Sequence, residues 1–239
     1  MTMNKIFDVG FMLKTVPEII SYLPVTLEIA FISGVIALIL GFLIALVRYF
    51  NVKFLSGICK VYISFIRGTP EMVQLLLAYY GLPIMLRALN EEFGLGLSVN
   101  GIPAIVFAVI ALALNSAAFM SETIRSAMLA VDPGQIEACY SLNMTTAQAM
   151  RKVVFPQAFA IALPPLGNSL ISLLKETSLV FAISVMEMMT AARVIGSRSF
   201  RFFEVYIVVS LIYWLCCFIL ERILNFIEKR VRKYERRAF

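Results

Sequence analysis

Polar positions along this chain are few and clustered, and the spaces between the clusters are long. Three runs carry no charged residue: Ile29 to Val47, Ile102 to Met120 and Phe155 to Leu174. At 19 or 20 residues each, a helix of that length covers the ~30 Å hydrocarbon core of a bilayer. Two further apolar segments predict spans. Val205 to Leu220 is bounded by Glu204 and Glu221, and Val61 to Leu86 is interrupted only by Arg67-Gly68-Thr69-Pro70-Glu71. The pattern therefore predicts an all-α membrane protein with five transmembrane helices in a single membrane domain.

Composition strengthens that reading. The chain has 239 residues, 61% hydrophobic and 15% charged, which leaves too little polar surface to cover five apolar helices in water. Only elements that satisfy their own backbone can cross lipid, so these runs are helices. Residues 1–22 lack the basic, apolar, small-residue order of a signal peptide and read as an amphipathic interfacial segment. Residues 23–227 form the membrane domain, and 228–239 a basic tail.

Charge sets the orientation. With the N-terminus outside, the inner loops and tail hold thirteen Lys and Arg against six outside, which favours N-terminus out and C-terminus cytoplasmic. Arg193, Arg198 and Arg201 argue locally the other way. The tail "ERILNFIEKRVRKYERRAF" follows a span directly, so its charge reads as an anchor on anionic membrane lipid and not as a nucleic-acid site.

Several chemistries are excluded. There is no histidine, which removes histidine metal sites, Ser-His-Asp triads and Cys-His dyads. Cys59, Cys139, Cys216 and Cys217 form no CxxC pair, and no metal or cofactor is expected. No GxxxxGK[ST] loop is present, so any ATP-driven work needs a partner. Neither HExxH nor GxSxG supports an intramembrane enzyme.

One long polar stretch lies between two spans: "DPGQIEACYSLNMTTAQAMRKVVFPQA", residues 132–158. Asp132 caps, Pro133 takes the first helical position, and a helix is expected from Pro133 to about Leu142. Asn143 follows where a left-handed turn is needed, a conformation that Asn tolerates best after glycine. Thr145 and Gln148 form a capping box that opens a second short helix toward Phe155, where Pro156 is expected to disturb the backbone.

This stretch resembles the EAA loop of the membrane subunits of ATP-binding-cassette (ABC) importers: Glu-Ala-Ala, three residues, Gly, nine residues, Ile, one residue, Leu-Pro. Glu137, Ala138 and Pro156 match, while Cys139, Asn143, Val153 and Phe155 replace the family residues at preserved spacing. Three more stretches resemble motifs of the polar amino-acid branch: "FIRGTPEMVQL" at 65–75, "LNSAAFMSETIRSAMLAVDPGQIEA" at 114–138 and "LPPLGNSLISLLKETSLVFAISVMEM" at 163–188. The resemblance covers about residues 23 to 227 and reaches the cystine importers.

The resemblance implies a type I ABC importer permease of the MetI-like fold in a bacterial cytoplasmic (inner) membrane. It would work beside a second permease subunit, identical or homologous, with two ABC ATPase subunits and an extracytoplasmic solute-binding protein. Glu137, Ala138, Cys139, Asn143 and Pro156 would then belong to the surface that couples to the ATPase. Around the substrate path it places Thr69, Pro70, Thr177 and Ser178, and Arg67, Glu71, Asn115 and Lys175 are further candidates for that path.

The residues themselves leave two roles open. Intramembrane charges normally face a partner or a wet cavity. Arg67 and Lys175 either border the path or pair structurally with Glu71 and Glu176. Glu122 and Glu187 are candidates for a substrate ammonium contact, since a carboxylate only accepts hydrogen bonds. Gly68 with Pro70, and Pro164-Pro165 with Gly167, are expected to loosen their helices. The competing class is a self-sufficient secondary carrier or channel, disfavoured because five spans do not divide into two inverted halves.

Overall fold

The computed structural model describes residues 8–94, 96 and 101–238, with side chains described as far as Val231. Lys5, the first seven residues of the N-terminal segment and the side chains of tail residues 232–239 lie outside the described residues. The chain runs through α1 (Val9–Ile20), α2 (Leu23–Tyr49), α3 (Leu55–Gly68), α4 (Glu71–Phe93), α5 (Ala104–Leu129), α6 (Pro133–Ser141) and α7 (Thr146–Ala149). A π-turn at Met150–Val154 leads into α8 (Phe155–Glu176), a 3-10 stretch at Thr177–Ile183, α9 (Met188–Ser199) and α10 (Phe202–Ala238).

Among the described residues five helical segments are long and apolar enough to cross a membrane: Leu23–Tyr49, Glu71–Phe93, Ala104–Leu129, Thr146–Ile183 and Phe202–Val231. Four of them contain the runs read from the sequence or overlap most of their length. The interrupted segment is corrected: Val61 to Leu86 is two helices. α3 stops at Gly68, Pro70 is extended (φ −64°, ψ 135°) and supplies the start of α4, so the second span begins at Glu71. A proline removes an N–H donor and drives its predecessor out of the helical region, which explains the stop.

The expected break at Pro164-Pro165 does not form. α8 runs unbroken from Phe155 to Glu176 through both prolines, with the Ser169 hydroxyl donating to the Pro165 carbonyl at 3.1 Å. The chain leaves α-helical geometry only at Thr177–Ile183, and the stretch ends with Ser184 left-handed at φ 59°.

The chain clusters into two compact units. The first comprises Met1–Gly34, Thr69–Ala113 and Ser172–Ile219, and the second Val35–Gly68, Leu114–Ile171 and Leu220–Phe239. The unit boundaries fall within α2, α5, α8 and α10 and between α3 and α4, so each of those four long helices contributes to both.

In the first unit, Ile29, Leu75, Leu112, Leu173 and Val180 build one core cluster. A second holds Ile19 of α1 against Met188, Ala192 and Val205. The N-terminal helix is therefore packed on α9 through Ile19 and its neighbours as well as carrying exposed apolar residues such as Leu13. In the second unit, Ala117, Met120, Met128, Met150, Val154 and Ala162 form the core around Ala37. Gly41 brings α2 close to α5 there: a Cβ at this position would lie 3.2 Å from the Ala117 carbonyl oxygen and the Met120 Cβ. Small residues permit such backbone approach in membrane helices.

Large apolar side chains elsewhere face outward, among them Phe31, Leu77, Tyr80, Trp214 and Leu215. On α4 only Gln74 and Leu75 are buried. Such surfaces suit lipid or a second subunit and not water.

Candidate functional site

The polar hairpin at 132–158 belongs wholly to the second unit. The Asp132 carboxylate accepts from the Gly134 N–H at 2.8 Å, and Pro133 opens α6, as the capping pattern predicts. The helix ends at Ser141. Asn143 then stands left-handed at φ 56°, its N–H donating to the Tyr140 carbonyl at 2.9 Å, while the Met144 N–H donates to the Cys139 carbonyl at 3.0 Å. These two bonds are the Schellman closure, which satisfies carbonyls that a helix end otherwise strands.

Across the turn, the Thr145 hydroxyl accepts from the Gln148 N–H at 3.3 Å and the Gln148 side chain accepts from the Thr145 N–H at 2.8 Å, the capping box in full. The second helix is not separate, however. α7 passes through the π-turn directly into α8, and the Phe155 N–H donates to Met150, five residues back. Pro156 has no N–H to return, and the wider turn just before it lets the helix absorb that loss without stopping.

The hairpin has an inner and an outer side. Cys139 is buried, Ile136 packs on the core that holds Met150 and Val154, and the Gln157 amide donates to the Gln135 side chain, tying α6 to α8. Glu137, Ala138 and Asn143 are exposed. Of the five coupling candidates, Cys139 is thus a core residue, while Pro156 is exposed in the first turn of α8. Two residues that pattern reading missed join the outer side: Tyr140, 47% exposed, and Leu142, 76% exposed. Two large apolar side chains in an otherwise polar loop were the available signal.

The substrate-path candidates fall into both units. In the first, Thr69 and Pro70 form the break before α4, and Gln74 donates to the Thr69 carbonyl at 3.0 Å and hydroxyl at 2.8 Å. Glu71 opens α4 with one carboxylate oxygen buried and without a hydrogen-bond partner. Lys175 is exposed at the end of α8; Thr177 is fully buried, its hydroxyl donating to Leu174 at 2.7 Å, and Ser178 is half-buried. No Lys175–Glu176 ion pair forms among the described residues.

Glu187 lies in the first unit as well, fully buried. It caps α9 by accepting from the Thr190 N–H at 2.9 Å, and its other oxygen accepts from Tyr213 at 2.9 Å and Thr26 at 3.3 Å. Both carboxylate oxygens have protein donors, so this carboxylate joins α2, α9 and α10.

In the second unit Arg67 stands over the Phe119 ring, 5.7 Å from its centroid, and Asn115 is buried on α5. Glu122 forms an ion pair with Arg48 and another with Arg125 at 3.2 Å. Neither carboxylate named as an ammonium contact is free. No cluster of three potential metal-ligating side chains occurs among the described residues.

Comparison with known proteins agrees with this architecture. Residues 15–233 match the family described as binding-protein-dependent transport system inner membrane component. The probable amino-acid ABC transporter permease PatM of Vibrio harveyi is 43% identical over 227 residues, 95% of this chain and 97% of PatM. The L-cystine transport system permease TcyL of Bacillus subtilis (strain 168) is 39% identical over 235 residues, covering 98% and 96%. A crystal structure of an amino-acid ABC transporter with histidines superposes with TM-score 0.80 at 40% identity, covering 96% of this chain and all of that one. The chain therefore belongs to the membrane-spanning permease subunits of binding-protein-dependent ABC importers, in their polar amino-acid branch and with their MetI-type fold.

Proposed function

We propose that this chain forms the translocation path of an importer for a polar amino acid and transmits the work of two ATPase subunits to it through the 132–158 hairpin. A second permease copy, identical or homologous, completes the pore, and an extracytoplasmic binding protein delivers the cargo. The protein sits in the bacterial inner membrane with its N-terminus outside and its C-terminus and hairpin in the cytoplasm. Cystine is the cargo named for TcyL and is the first to assay.

The observation that carries this reading is the two-sided hairpin. Glu137, Tyr140 and Leu142 are exposed on a helix whose inner side is seated in the core through Ile136 and Cys139. A surface loop with nothing to transmit needs neither the double capping nor the direct continuation into a span. Because α7 and α8 are one uninterrupted path, a push on the hairpin is delivered to the fourth span. ATP binding at the partner supplies the differential free energy, and this chain acts as the lever.

Thr69, Pro70, Glu71, Lys175, Thr177 and Ser178 are the path residues this reading favours, together with Asn115 at a motif position; Arg67, which lines a cavity with Arg48 and Lys60, is set apart from them. Glu122 and Glu187, with all their partners in place, act as structural anchors of their units. Uptake of radiolabelled amino acids into vesicles holding the full assembly tests the proposal. Uptake that requires internal ATP and the external binding protein supports it, whereas uptake driven by an ion gradient alone overturns it.

A further inference from the structure

A cavity of about 470 Å³ in the second unit is lined by Arg48 at the end of α2, by Lys60, Ile63, Ser64, Arg67 and Gly68 of α3, and by Glu122 of α5. Its size is within the ~300–1,000 Å³ usual for ligand sites. Three cations face it and one carboxylate, and that carboxylate is already shared between Arg48 and Arg125. The Arg48 Nε is buried and has no hydrogen-bond acceptor among the described residues. The cavity therefore carries excess positive charge and an unmet donor, which is the chemistry of an anion site.

The position of α3 identifies the source of the anion. At about 100° per residue, Lys60, Ser64 and Arg67 share one side of the helix. Leu55, Ile58, Val61 and Phe65 share another, and all four are about half exposed or more. An exposed helix with an apolar face and a cationic face lies in the membrane interface, the first face in acyl chains and the second at headgroup level. Arg48, in the last turn of a span, with Tyr49 and Phe50 packed edge-to-face beside it, marks the same level, where aromatic rings concentrate.

We infer that the Arg48–Lys60–Ser64–Arg67 cavity binds the phosphate of an anionic phospholipid headgroup. Arg48 and Arg67 offer forked donors to the phosphate oxygens, Lys60 a point charge and Ser64 a hydroxyl. A zwitterionic headgroup would bring its own cation against the same three positive groups, so the cavity discriminates against phosphatidylcholine.

Native mass spectrometry of the full chain, titrated with phosphatidylglycerol or phosphatidylcholine, tests the inference. The wild type should hold one phosphatidylglycerol in clear excess over phosphatidylcholine. Lys60→Gln, at an exposed position where folding is not at risk, should lower that preference about 5-fold, the effect of one basic residue near an anionic surface, and Lys60→Arg should restore it. Equal retention of the two lipids overturns the inference, as does an unchanged preference in Lys60→Gln with a loss in Lys229→Gln/Arg230→Gln, which would assign the lipid to the tail. Displacement of phosphatidylglycerol by millimolar inorganic phosphate or by a free amino acid also overturns it, by assigning the cavity to a soluble anion or to the transport path.

Discussion

The N–H of Asn143 donates to the carbonyl of Tyr140 at 2.9 Å from a backbone held at φ 56°. Asparagine is the residue that tolerates this left-handed region best after glycine, which the EAA-loop pattern has at the same spacing. Asn143→Gly should leave stability unchanged or raise it by a few tenths of a kcal/mol, since glycine enters this region without a Cβ penalty. Asn143→Val should cost about 1–2 kcal/mol, because a β-branched residue is strained there. Limited proteolysis between residues 140 and 146 reads both: cleavage of the Val variant should be faster than wild type and that of the Gly variant should not.

Asp8 gives a pH-dependent prediction. Its carboxylate accepts from Arg201 at 2.5 Å and from the Phe11 N–H at 2.9 Å, so the Arg201 guanidinium and the helix cap hold its pKa below the ordinary 3.8. A depressed carboxylate stabilises the fold at pH values above its unfolded pKa, and that contribution disappears as pH falls through the folded value. The melting temperature of the purified chain should therefore fall below about pH 4, by a small amount because the pair is partly exposed. Asp8→Asn should flatten that limb. An identical acid limb in Asp8→Asn would assign the pH dependence to other groups.

Glu187 separates an anchor from a transport residue. Replacing it with Ala takes the carboxylate acceptor from the Tyr213 hydroxyl and the Thr190 N–H in the core of the first unit, at a cost of about 3–5 kcal/mol. Glu187→Gln keeps one acceptor oxygen and should cost about 1–2 kcal/mol. Thermal unfolding in detergent measures both. A Glu187→Ala variant that melts like wild type yet no longer transports would return this residue to the substrate path.

Glu187 also shows where sequence reading stops. Its charge was visible, but its partners lie 161 and 26 residues away, at Thr26 and Tyr213, and no local pattern reports such distances. The partner of Glu122 was hidden for the same reason, since Arg48 reaches it from another helix. What depends on neighbours in sequence was legible: the caps at Asp132 and Thr145 and the left-handed Asn143, whereas Pro70 was expected only to loosen a helix that stops there. Proline was the least reliable signal. Pro70 ends a helix, whereas Pro164 and Pro165 sit inside one and Pro156 is absorbed by a π-turn, so the outcome depends on whether the surrounding helix can re-pair the freed carbonyls.

The hairpin itself yields a test that distinguishes contact from support. If Leu142 and Glu137 meet the ATPase directly, their replacement should alter coupling without altering the fold, because both side chains are exposed and surface changes usually shift stability by no more than about 0.5 kcal/mol. Leu142→Ala removes apolar area that a partner groove would bury, and Glu137→Lys reverses an exposed charge on α6. Each variant should remain in the membrane with a wild-type melting temperature, while ATP hydrolysis becomes insensitive to the cargo-loaded binding protein and uptake falls. Cys139→Ser should behave in the opposite way. Cys139 is buried against the core of the second unit, so a hydroxyl there lowers the melting temperature first and affects coupling only as far as the helix loosens. Unchanged cargo-stimulated hydrolysis and uptake in both Leu142→Ala and Glu137→Lys would remove the hairpin from the coupling path.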